Sequence, residues 1–74
     1  MNKFTDGKKV VEITNGVQDI YRIALEVHHT IQENVKFVYD DAIKLWRVQL
    51  TDNSGNYISE IGAINFDPNE NTLK

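Results

Sequence analysis

Ile43-Lys44-Leu45-Trp46-Arg47-Val48-Gln49-Leu50-Thr51 alternates in a way that decides the fold. Successive side chains of an extended chain point to opposite faces, so Trp46, Val48 and Leu50 share one side and Leu45, Arg47 and Gln49 the other. The aromatic and β-branched residues suit a pleated surface. One side is wholly apolar and the other mixed, which predicts a strand with one face in a core and the other turned away from it.

Outward from this strand the same period recurs on both sides. Val35, Phe37 and Tyr39 alternate with Lys36 and Val38, predicting a strand that ends at an Asp40-Asp41 turn. Downstream, Asp52-Asn53-Ser54-Gly55 is a dense turn signal, and Tyr57 to Ile61 returns as the next strand. Gly62 predicts a bulge or bend, after which Ala63-Ile64-Asn65-Phe66 extends that strand or forms a fifth. From Asp67 onward the chain reads as a loose end, 67–74.

Upstream the period changes. Val17, Ile20, Ala24, Val27 and Ile31 recur at three- and four-residue steps, joined by Tyr21, His28 and Val35, which predicts one amphipathic helix from about Gly16 to Glu33. Ile23 and Leu25 flank this stripe on opposite sides and widen its apolar arc. Asn15 followed by Gln18 suggests a capping box at the helix start. Before it, Val10, Val11 and Ile13 predict a short strand within Lys8 to Thr14, and residues 1–7 read as a loose end. The expected architecture is one small α+β domain over residues 1–74, ordered β-α-β-β-β, with the helix packed on a small, mainly antiparallel sheet.

The chain has 74 residues, enough for one core and little more. A formal net charge of −3 argues against direct nucleic-acid binding and against an anionic membrane surface, since both rely on a basic footprint. The acidic excess sits towards the end, where Asp52, Glu60, Asp67 and Glu70 face Lys74 alone. No cysteine is present, which removes thiolate nucleophiles, disulfides and sulfur metal ligands together. Neither a signal peptide nor a membrane span is expected, and a cytoplasmic location follows as the default.

No constellation in the sequence carries recognisable chemistry. His28 and His29 are adjacent, so on a helix they point about 100° apart and do not form a chelating i, i+4 pair; His28 is expected in the core or at its boundary and His29 in solvent. Asp40 and Asp41 read as turn residues rather than a catalytic carboxylate pair. Asp52-Asn53-Ser54-Gly55-Asn56 and Asp67-Pro68-Asn69-Glu70-Asn71 begin like calcium loops but lack the sixth-position glycine and the distal glutamate. Ser54 and Ser59 have no strained elbow motif around them. Lys36, Phe37, Tyr39, Trp46 and Arg47 resemble a base-stacking sheet surface in composition, but Phe37 and Trp46 are expected beneath the helix. No cofactor, no metal and no enzyme activity are expected.

Val35-Lys36-Phe37-Val38-Tyr39-Asp40-Asp41, Trp46-Arg47-Val48-Gln49-Leu50-Thr51-Asp52 and Ile58-Ser59-Glu60-Ile61 together resemble the hairpin of the FlaG family of bacterial flagellar proteins. The resemblance covers under half the chain and departs from the family pattern at Ser59 and Gly62. It implies a non-enzymatic role linked to flagellar filament assembly.

The residues themselves point to a small non-enzymatic protein-binding regulator or inhibitor. One helix covers one face of a sheet, and the strands place apolar residues on both. The expected interaction surface is Val38, Leu45, Arg47, Gln49, Tyr57 and Glu60. A protein partner is expected, with a homodimer through this face or a strand edge, or an acidic surface that mimics DNA as the alternative.

Overall fold

A computed structural model describes residues 2–70. Five strands and one helix follow one another as β1 Lys3–Thr5, β2 Val10–Glu12, α1 Val17–His28, β3 Val35–Asp40, β4 Leu45–Thr51 and β5 Tyr57–Ile64, with a single 3₁₀ turn at Gln32–Asn34 before β3. The sheet order is β2-β1-β5-β4-β3, and every neighbouring pair is antiparallel. The fold is α+β, as the alternation of β3 to β5 and the helical period upstream require.

The N-terminal expectation is corrected: residues 3–5 are not loose. Phe4 pairs with Val11 on one side and Ile64 on the other, so β1 fills the gap between β2 and β5. Three residues are too few for an alternating pattern to register in the sequence, yet Phe4 is only 6% exposed. The 6–9 loop is held by the Asp6 carboxylate, which accepts from the Lys8 and Lys9 amides.

Phe4, Ile13, Val17, Ile20, Ala24, Val48, Leu50, Ile61, Ile64 and Phe66 form one buried cluster between α1 and the sheet. Tyr21 packs on Phe37 with ring centroids 6.1 Å apart, which fixes the β3 side of the helix. β5 runs through Gly62 to Ile64, so Ala63 and Ile64 extend the strand. Its register slips between Val48 and Gln49 and again between Leu50 and Thr51, leaving Ile61 and Ile58 as the extra residues. The first slip is a bulge that turns Ile61 into the core. Gly62 then lies directly against the Phe4 ring, where no β-carbon has room. Phe66 and Pro68 are buried as well, so the end of the chain packs further than expected; residues 71–74 of the expected loose end lie outside the described residues.

The helix is shorter than its periodicity suggests. It stops at His28, where His29 takes a left-handed conformation with φ 54° and the Thr30 amide reaches back to the Ala24 carbonyl. Val27 is 64% exposed, and Ile31 lies beyond the helix rather than on its stripe. His28 is exposed, neither in the core nor at its boundary.

The helix start also differs from the Asn15–Gln18 reading. Gly16 occupies the cap position with φ 58° and ψ −139°, a region open to glycine and costly for other residues. Having no side chain, it leaves the helix start without a side-chain cap, and Asp19 instead reaches back to the chain ahead of the helix, its Oδ2 accepting from the Thr14 and Asn15 amides at 3.2 and 3.1 Å. Burial pushes the Asp19 carboxyl up, but those amides, the Asn15 side chain and Arg22 outweigh it and hold the carboxyl below its ordinary value.

Candidate functional site

The sheet face turned away from α1 is built by strand parity. Lys36, Val38 and Asp40 of β3 pair with Gln49, Arg47 and Leu45 of β4, and Arg47 and Gln49 pair in turn with Ala63 and Glu60 of β5. Thr5 and Val10 continue the row from Ala63 across β1 and β2.

Arg47 stands at its centre. Its Nε donates to Asp40 Oδ2 at 2.6 Å and its Nη1 to Glu60 Oε2 at 2.7 Å, so one guanidinium ties β3 to β5 across β4. Asp40 Oδ1 also accepts from the Ala42 amide at 2.9 Å, which closes the 41–44 turn. The Arg47 guanidinium beside Asp40 holds that carboxyl below its ordinary value, against an opposing effect of burial, and the two carboxylates push the Arg47 pKa up. Such bidentate and shared pairs fix side-chain geometry more than they add stability at a surface.

Beside this ladder lies an apolar saddle. Two shallow depressions of about 170 and 280 Å³ share Thr5, Leu45 and Ala63, with Val10 lining the first and Ile43 the second. Val10 and Ile43 are exposed at its margins.

Five of the six expected surface residues, Val38, Leu45, Arg47, Gln49 and Glu60, are brought together on this face. Tyr57 pairs with Thr51, which has the parity of Gln49, so it lies on the same face but at its far end, past the second register slip and about 20 Å along β4 from Leu45. Asp40, Ala63, Thr5 and Val10 were not part of the expectation. Asp40 could have been found by pairing the hairpin backward from its turn, whereas Thr5 and Val10 depend on β1, which leaves no periodic signal.

A second concavity of about 350 Å³ lies between α1 and the β1–β2 hairpin, with Phe4, Val11, Ile23, Val27 and Ile61 as apolar walls and Asp6, Lys9, Arg22 and His28 also lining it. Arg22 is engaged by Asp19 and Glu26, so the groove offers no strong field of one sign.

The remaining oxygen-rich segments are occupied by their own backbone. Asp52 accepts from the Ser54 and Asn56 amides at 2.9 Å each, and Asp67 from the Asn69 amide at 2.9 Å, which makes both of them turn caps. Among the described residues no group of three or more His, Cys, Asp or Glu is placed to hold a metal ion, and no helix is long and apolar enough to cross a membrane. Comparison with protein-family models, curated proteins and solved structures finds no match.

Proposed function

We propose that this chain is a non-catalytic protein-binding module, acting as a regulator or inhibitor, whose outer sheet face receives a partner protein. The observation that carries this reading is the Asp40–Arg47–Glu60 ladder fixed beside the Leu45–Ala63 saddle. Its two carboxylates share one guanidinium, which leaves a net charge of −1 held in place on three strands, so little ordering is needed when a partner arrives. The saddle supplies apolar area to bury, and the ladder supplies polar groups that discriminate among partners.

The test is quantitative capture from the native host with tagged wild-type protein and with Leu45→Glu and Ala63→Glu. Both side chains lie on the outer face, so the variants are expected to melt as the parent does. A protein retained by the wild type and lost at least tenfold with both variants supports the reading. Equal retention by all three, with folding intact, removes it.

A further inference from the structure

The free edge of the sheet at β3 has a sequence property that the outer face does not require. We propose that β3 pairs antiparallel with β3 of a second copy about a twofold axis at Val38, giving one continuous ten-stranded sheet. Residues facing each other across an antiparallel pair lie on the same face, and a twofold centred on residue 38 pairs each residue with the one at 76 minus its number. Lys36 then faces Asp40 of the partner subunit, and by symmetry the contact occurs twice. Phe37 faces Tyr39 of the partner subunit, also twice, on the face that carries α1.

Each facing pair is of a kind that stabilises a ladder. Lys36 is exposed and makes no ion pair among the described residues, and Tyr39 is 45% exposed although its ring already rests edge-on against Trp46 at 5.3 Å. A lysine on a free edge ordinarily discourages pairing. Here the strand carries a carboxylate four residues later, Asp40, which shares Arg47 with Glu60 and so belongs to a group of net charge −1; a second copy in this register sets the lysine against it, and a copy slipped by one residue does not. The helix adds apolar surface beside the same edge: Leu25, 55% exposed, lies on the side of α1 where Tyr21 packs on β3. The other edge, β2, has only three residues and no such complementarity. Pairing at β3 also joins the two outer faces across the axis, bringing two Asp40–Arg47–Glu60 ladders side by side.

Because the chain has no cysteine, Val38→Cys reports the register directly. Across the axis the two Cα atoms at position 38 lie about 4.5–5.5 Å apart, within reach of a disulfide. The two at position 37 lie about 8 Å apart, out of reach. Light scattering coupled to size exclusion over micromolar concentrations is expected to show a monomer–dimer equilibrium, with mild oxidation converting Val38→Cys, but not Phe37→Cys, to a covalent dimer. Lys36→Glu is expected to weaken dimerisation at least about tenfold, because a carboxylate at position 36 would face Asp40 of the partner subunit, and would do so twice. A monomer at all concentrations, with the Val38→Cys variant left uncoupled by oxidation, overturns the proposal. So does a dimer that Lys36→Glu leaves intact, or one crosslinked through position 37 instead. None of these outcomes bears on capture of a foreign partner at Leu45 and Ala63, so the two readings fail separately.

Discussion

Replacing Gly62 by alanine is expected to destabilise the protein by about 1–2 kcal/mol, against the usual sign for a glycine within a strand. In open space the exchange would stabilise by about 0.5–1 kcal/mol, since alanine has less backbone freedom to lose on folding. Here the added β-carbon would stand 2.5 Å from Phe4 Cζ and 2.5 Å from the Thr5 carbonyl oxygen, and closer still to Phe4 Cε2. Neither obstacle can step aside cheaply, because the ring is packed in the core and the carbonyl belongs to β1, held between β2 and β5. Overpacking of a tight site costs about 1–3 kcal/mol, and three contacts this short place Gly62 in the upper half of that range, so about 1–2 kcal/mol remain after the entropic gain. For a chain of this size that loss lowers the melting temperature by roughly 4–16 °C. Thermal and urea unfolding of Gly62→Ala measure it, and Phe4→Leu as a second background should reduce the penalty by removing the ring atoms. An unchanged or raised melting temperature for Gly62→Ala would refute the docking of β1 over β5.

Asp19→Ala leaves the Thr14 and Asn15 amides without their acceptor and is expected to cost about 1–3 kcal/mol by urea unfolding. Asp19 and Asp40 both have folded-state pKa values below the ordinary carboxylate value, so their contribution is complete above about pH 4 and is lost as pH falls through the folded values. A urea midpoint that stays level from pH 6 to pH 2 would contradict this. Arg47→Ala is expected to weaken the fold only slightly, with the difference shrinking in 1 M salt, as thermal melts in low and high salt would show. The purified protein is expected to carry no stoichiometric metal by elemental analysis and to give no DNA gel shift in about 0.1 M salt, because its imidazoles are adjacent and its net charge is −3.

The parts of the fold legible in the sequence are those where period and turn chemistry agree. β3, β4 and β5 alternate between the Asp40–Lys44 and Asp52–Asn56 turns, and the structure keeps them as a meander. The helix was legible in kind but not in length. Val27 and Ile31 continue the apolar spacing, yet an i, i+4 pattern cannot state how much cover lies opposite, and the sheet stops short of the last turn. The expected capping box does not form, because Gly16 holds the cap position and has no side chain to cap with, while Asp19 rather than Gln18 reaches back to the preceding amides.

The candidate site was legible to the extent that it depends on parity within β3 and β4. Leu45, Arg47 and Gln49 share a face whatever the neighbouring strands do, and that much follows from alternation. Which residues meet them depends on register, and register in β5 is set by two slips, the first marked by Gly62 and the second, at Ile58, by no local pattern. Without the slip at Ile61, Gly62 would not face the core opposite Val48 while Glu60 faces outward opposite Gln49. The extra residue lets Ile61 enter the core while Glu60 reaches Arg47 and Gly62 receives the Phe4 ring. One bulge thus links the N-terminal strand, the core and the charged ladder, so a change that removed it, such as deletion of Ile61, would disturb all three together.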